Sequence, residues 1–127
     1  MENQSNEITI NLALLKKYNL VFQFTDKFGA LLPQAYGSAV ADFPDDVDSS
    51  RAANDYLLKT ALYLKGGIAE DGENSLLSNT YGASICDGQV SVFLNHPGYP
   101  GNLAVLPLKD FHEILEMWRD FLIENGW

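Results

Sequence analysis

Five aspartates lie within the fifteen residues from 41 to 55, ADFPDDVDSSRAAND. Carboxylates at this density suit three roles: coordination of a calcium ion, the start of a helix, and a surface that attracts a basic partner. A calcium loop of the EF-hand type needs glycine at its sixth position and a bidentate glutamate at its twelfth. With Asp46 at the first position, these places hold Arg51 and Leu57, so the spacing argues against such a loop.

Three of these aspartates, Asp45, Asp46 and Asp48, lie just before a predicted helix. Asp48 or Ser49 is suited to cap its N-terminus, and the helix is expected to span about residues 50–64, before a pair of glycines. Negative charge is favourable at that end of a helix. Because one capping residue suffices, the surplus carboxylates of Asp45 and Asp46 favour an electrostatic surface.

Nucleophilic or metal chemistry would depend on Cys86 and the two histidines, His96 and His112. Cys86 adjoins a predicted tight turn and lacks the local signatures of cysteine proteases, which predicts a semi-buried structural cysteine. His112 and Glu116 have the i, i+4 spacing of two metal ligands, but no third ligand accompanies them, which predicts a solvated surface pair. We therefore expect no catalytic residue, no metal site and no cofactor.

The composition limits the classes of partner. The 127 residues are expected to form one domain, with residues 1–7 frayed. With 17 acidic and 8 basic residues, the net charge of −9 disfavours nucleic acid and anionic membranes as ligands. A polar N-terminus, the lack of a long apolar run and a single cysteine predict a cytoplasmic protein.

The clearest structural signal is TYGASICDGQVSVFLN, in which Asp87 and Gly88 separate two alternating, β-rich runs. A two-residue turn there pairs Cys86 with Gln89. The same register places three apolar pairs on one face, in agreement with the hydrophobic pattern: Ile85 with Val90, Ala83 with Val92, and Tyr81 with Leu94.

The remaining elements complete an α+β pattern. Residues 8–24 predict a short helix and then a strand, and residues 25–44, rich in Gly and Pro, predict turns with at most one short strand. A strand ending at Pro107 precedes an amphipathic C-terminal helix. The wide apolar arc of the middle helix, which includes Leu58 and Leu62, predicts cover on more than one side. We expect an antiparallel sheet of three to five strands with two or three helices packed on one face.

The C-terminal third, GASICDGQVSVFLNHPGYPGNLAVLPLKDFHEILEMWRDFLIENGW, combines a hairpin, a further strand and a closing LPLKDFHEILEMWRDFL helix. This arrangement resembles bacterial immunity proteins of polymorphic toxin and contact-dependent growth inhibition systems. The resemblance implies a role without chemistry of its own: binding a cognate basic toxin, often a nuclease, and covering its active site. It transfers no functional residues, because such families bind their toxins through differing surfaces.

We therefore expect a toxin-binding protein whose interface uses the acidic groups on either side of the middle helix. Two other readings stay open. An adaptor or secretion chaperone would be a dimer with an exposed apolar groove, and a small enzyme would use Cys86 or His112. The predicted interface residues are Asp45, Asp46, Asp48, Glu70, Asp71 and Glu73.

Overall fold

The computed structural model describes residues 11–67, 74–96 and 101–127, and within them it contains four α-helices, one 3-10 helix and six β-strands. In chain order these are α1 (Leu12–Lys17), β1 (Val21–Lys27), β2 (Ala30–Tyr36), the 3-10 helix (Ala39–Ala41), α2 (Asp42–Asp45), α3 (Ser50–Leu64), β3 (Ser75–Leu77), β4 (Tyr81–Cys86), β5 (Gln89–Leu94), β6 (Ala104–Pro107) and α4 (Leu108–Glu124). The mixture of helices with antiparallel sheets confirms the predicted α+β class.

The larger sheet has four antiparallel strands in the order β3-β4-β5-β6. Its β4–β5 hairpin has the predicted register, from Cys86 opposite Gln89 to Tyr81 opposite Leu94. Asp87 and Gly88 both have positive φ, as a two-residue hairpin turn of the primed type requires. Strand β3, in contrast, was not predicted, because three residues are too few to show alternation.

A second, two-stranded sheet corrects the prediction for residues 25–44. Strand β2 is a full strand of seven residues, paired with β1 across a Phe28–Gly29 turn. Pro33 does not break this strand. Pro33 and Ala35 are two positions apart, so their backbone nitrogens point to the same edge of β2. The Ala35 N–H points away from β1 and donates to the Asp45 carboxylate at 2.8 Å. The missing N–H of Pro33 therefore removes no bond from the β1–β2 ladder.

The core lies between one face of the four-stranded sheet, helix α4 and the aromatic residues of β1. Trp118 on α4 is fully buried and donates its indole N–H to the Val47 carbonyl at 2.7 Å. Its ring lies edge-on to Phe22 and stacks on Phe121. The apolar stripe predicted for the C-terminal helix is the part of that helix that enters the core.

Helix α3 has the predicted bounds and packs against α4. The prediction that its wide apolar arc is covered on more than one side is wrong. Ala53 and Leu57 are buried, but Leu58 is 73% exposed and Leu62 is also exposed. The described part of the chain thus covers only one side of the arc.

Candidate functional site

The candidate site is an acidic surface, which we define as Asp42, Asp45, Asp46, Asp48 and Asp55. It extends from α2 through the following loop to the first half of α3. Within it, Asp45, Asp48 and Asp55 are exposed, whereas Asp42 and Asp46 are half-buried. The fold therefore gathers carboxylates from two helices and a loop on one part of the molecule.

Two tyrosines, Tyr56 and Tyr81, lie close enough to these carboxylates for the negative charges to affect their pKa values. Burial raises the pKa of Tyr56, and the charges of Asp46, Asp55 and Asp48 raise it further. Burial likewise raises the pKa of Tyr81, with additional contributions from Asp42, Asp46 and Asp45. Asp46 therefore acts on both phenols, whereas each of the other four carboxylates acts on one of them.

Asp46 is the structural anchor of the acidic surface. One of its oxygens, Oδ2, accepts a hydrogen bond from the Ser78 hydroxyl and another from the Thr80 N–H, both at 2.6 Å. These bonds join the loop before α3 to the turn between β3 and β4. Asp46 is therefore held in place by the fold and does not extend freely into solvent.

Asp42 and Asp45 are close enough to interact. Burial raises the pKa of Asp42, and the neighbouring charge of Asp45 raises it further. Like charges are thus held together although their repulsion costs stability. Asp45 offsets part of that cost through its bond from the Ala35 N–H.

A small polar cleft opens beside Asp46 and Asp48, with a volume of about 210 Å³. The Tyr56 hydroxyl closes one side by donating to the Leu77 carbonyl at 2.7 Å. Carboxylate, hydroxyl and amide oxygens in such a cleft suit the N–H groups of a lysine or arginine side chain. The cleft is lined by Asp46, Val47, Asp48, Ala52, Tyr56, Leu77, Ser78 and Asn79.

The helix-start explanation for the aspartates requires correction. Ser49, one of the two predicted caps, accepts the Ala52 N–H at 3.1 Å. Asp45 belongs to α2, and Asp46 bonds the β3–β4 turn. Of the three aspartates in question, only Asp48 directly precedes the cap.

The second predicted acidic group, Glu70, Asp71 and Glu73, lies outside the described residues. Conversely, Tyr56, Ser78 and Thr80 belong to the site, although no local motif marked them. Their roles depend on contacts across 21 to 34 positions of sequence separation, between α3 or the loop before it and the β3–β4 region. Only the tertiary fold could have revealed them.

The prediction for Cys86 is wrong. Cys86 is exposed, not semi-buried, because it follows the last buried residue of β4. His112 does pair with Glu116, with its Nε2 3.8 Å from a carboxylate oxygen, but His112 is not a freely solvated surface residue. Its side chain is only 18% exposed, and its Nδ1 lies 2.6 Å from the hydroxyl of the fully buried Thr60 on α3. His112 is thus a polar link between α3 and α4.

An apolar groove lies on another part of the molecule, between α1, the start of β1 and α4. Its volume is about 440 Å³. The groove was not predicted, because its walls come from distant parts of the chain. It is lined by Leu12, Leu15, Leu20, Val21, Phe22, Met117, Phe121 and Glu124.

Within residues 11–67, 74–96 and 101–127, no three side chains from His, Cys, Asp and Glu come together as a metal site would require. Over the same residues, every helix is too short or too polar to cross a membrane. Comparisons with protein-family models, with curated proteins and with solved structures gave no match.

Proposed function

We propose that this protein is an immunity protein, which binds a cognate basic toxin and blocks its active site. The observation that carries the proposal is the acidic surface, in which α2, the following loop and the first half of α3 contribute five carboxylates, three of them exposed. A toxin that cleaves nucleic acid is the partner class that such a surface fits best, since its active site must attract phosphate. The proposal places the protein in the cytoplasm and assigns it no catalytic step.

Electrostatics supports this role in two ways. Opposite fields steer the encounter of two proteins and raise the association rate by about 10 to 10³-fold at low salt. After docking, carboxylates form strong charge-assisted hydrogen bonds with lysine and arginine. Because the net charge is −9, the molecule as a whole also attracts a basic partner.

The geometry adds preorganisation. Asp46 is fixed by two hydrogen bonds, and the cleft beside it is open before any partner arrives. A carboxylate that is already ordered loses little entropy on binding, so more of the interaction energy contributes to affinity. A lysine or arginine of the toxin that enters the cleft would meet Asp46 and Asp48 together.

The experiment is affinity purification of the tagged protein from its native host at low salt, followed by elution with increasing salt. We expect one basic polypeptide to elute, and we expect this polypeptide to become toxic or to cleave nucleic acid once it is free. Elution of many unrelated proteins, or of none, would contradict the proposal.

Asp48→Asn tests the acidic surface within that complex. Asp48 is exposed and none of the hydrogen bonds described above depends on it, so the variant should fold normally and bind the toxin about tenfold more weakly at low salt. Asp87→Asn is the matched control, because it removes one charge from a hairpin turn that tolerates asparagine. Equal losses of toxin affinity in both variants, measured by titration calorimetry, would indicate a general charge effect and not a local interface.

The apolar groove favours a second candidate, an adaptor or secretion chaperone. Such a protein uses an exposed apolar surface to hold several clients. In that case, client binding should persist at high salt, and a dye that binds apolar surfaces should compete with the clients. The toxin complex should instead weaken as salt is added.

A further inference from the structure

Among the described residues, one edge of strand β1 has no strand beside it. Of the described strands, only β2 pairs with it, and the outer edge of β2 is covered near Ala35 by the Asp45 carboxylate. Phe22 lies opposite Ala35, so the alternation of an antiparallel ladder turns the N–H and C=O groups of Phe22, Phe24 and Asp26 towards the open edge. Unlike β2, strand β1 contains no proline, so each of these positions offers a donor and an acceptor for another strand.

The turn beside this edge carries an unusual residue. Phe28 has a φ of 56° and is fully exposed, followed by Gly29 with a φ of 83°. The corresponding turn of the other hairpin uses Asp87 and Gly88, the residue types that such turns prefer. A bulky aromatic side chain at positive φ is strained, and here it gains no burial in return. Phe28 therefore costs stability in the isolated chain.

The apolar groove can accept such a side chain. Apolar cavities of about 150 Å³ already hold benzene, and the groove has about 440 Å³. Leu12, one of its walls, is 71% exposed. The groove lies at the start of β1 and Phe28 follows the end of β1, so a second copy of β1 in antiparallel orientation would bring Phe28 towards the groove.

We propose that two copies of this chain form a two-fold dimer by pairing β1 with β1, and that Phe28 of each copy fills the apolar groove of the other. Full overlap of the two strands places Phe24 opposite its own counterpart. In that register Phe28 lies opposite Leu20, which lines the groove. Leu20 lies one position before β1 and Phe28 one position after it, so the two residues meet at the ends of the paired strands.

The charges along the strands fit this pairing. Asp26 lies opposite Phe22, so no like charges oppose each other across the ladder.

The two Phe28 side chains alone do not bury the area of a stable interface. Two phenylalanines bury roughly 300 to 500 Å² together, and a stable interface needs roughly 1,200 to 2,000 Å². The strand pairing and the exposed side chains of Leu12, Val21 and Leu31 have to supply the remainder. The net charge of −9 on each copy opposes association, so added salt should strengthen the dimer.

The test is sedimentation equilibrium over a range of protein concentrations, at low salt and at about 0.5 M NaCl. We expect the weight-average mass to rise from the 14.1 kDa of one chain towards twice that value, and to rise further at the higher salt. A mass that stays at one chain under all these conditions would overturn the proposal.

Phe28→Asn is the decisive variant, because asparagine before glycine suits the turn and the chain should fold at least as well. We expect it to weaken self-association at least tenfold and to increase the fluorescence of a dye that binds the opened groove. Asp87→Asn makes a comparable change in the other turn and should leave the dimer intact. A dimer that Phe28→Asn leaves unchanged, or that both variants disrupt equally, would overturn the assignment.

The proposal does not depend on the proposed function. The dimer uses β1, Phe28 and the apolar groove, whereas toxin binding uses the acidic surface. The two associations respond to salt in opposite directions, and each has a variant that should leave the other unaffected. A client that occupies the groove of the wild-type protein, detected by dye competition, would overturn the dimer and support the chaperone reading.

Discussion

Asp110 is a charged residue whose hydrogen bonds contribute to the stability of the fold. Its carboxylate accepts hydrogen bonds from the Tyr18 hydroxyl at 2.5 Å and from Lys17 Nζ at 3.1 Å. Burial acts to raise the pKa of Asp110, but the bonds from Tyr18 and Lys17 outweigh it, so the pKa is lowered. Asp110 therefore has two roles. Its negative charge is favourable in the first turn of α4, and its hydrogen bonds join α4 to the end of α1.

Tyr18→Phe should lower the free energy of unfolding by about 1 to 2 kcal/mol at neutral pH, because a charge-assisted hydrogen bond is lost. A lowered folded-state pKa stabilises the fold above the ordinary value of 3.8, and this stabilisation is lost as the pH falls through the lowered pKa. The difference between variant and wild type should therefore shrink in acid. Urea unfolding at several pH values measures it.

Lys17→Gln is the control for this prediction. The lysine side chain is 60% exposed, so solvent screens its ion pair with Asp110, and Lys17→Gln should cost less stability than Tyr18→Phe. A larger effect from Lys17→Gln than from Tyr18→Phe would show that the ion pair, and not the phenol, lowers the pKa of Asp110.

At the scale of elements, helix α3 begins and ends where its capping residues predict. It begins after Ser49, one of the two predicted caps, and ends at Leu64, before the glycine pair. Both ends depend on neighbouring residues alone, namely a hydroxyl that accepts a backbone N–H and a glycine that adopts positive φ. The ends of such a helix can therefore be predicted from the sequence without knowledge of the fold.

Ser49→Ala should lower the free energy of unfolding by about 1 kcal/mol, because the Ala52 N–H loses its acceptor. Denaturant unfolding followed by circular dichroism measures the change. Ser50→Ala is the matched control. Its backbone N–H still bonds the Trp127 carbonyl, so its effect should be small. Equal losses in the two variants would contradict the capping role of Ser49.

At the scale of the whole molecule, the net charge of −9 makes self-repulsion the dominant long-range term. Raising the NaCl concentration from about 10 mM to about 1 M shortens the screening length from about 30 Å to about 3 Å. We expect the melting temperature to rise by about 4 °C, which corresponds to about 1 kcal/mol for a chain of this size. Differential scanning calorimetry at low protein concentration measures it.

Asp42→Asn should reduce that gain, because burial and Asp45 raise the pKa of Asp42 and its charge is therefore costly in the fold. Asp87→Asn, which removes an exposed charge from the β4–β5 turn, should preserve it. A melting temperature that falls with salt would instead mean that attractive pairs such as Lys17–Asp110 dominate.

The sequence by itself determined what depends on neighbouring residues. The β4–β5 register followed from a two-residue turn and period-two alternation, and the bounds of α3 and the apolar stripe of α4 followed from caps and helical periodicity. The total charge also needs no structure.

Only the tertiary structure decided where those charges and apolar side chains meet. It joined Asp46 to the β3–β4 turn, buried the link between Thr60 and His112, left Leu58 exposed and formed the apolar groove. These features arise from residues that are far apart in the chain. Packing brings them together, and a local pattern of residue types contains no information on which distant segment will provide the other half of a contact.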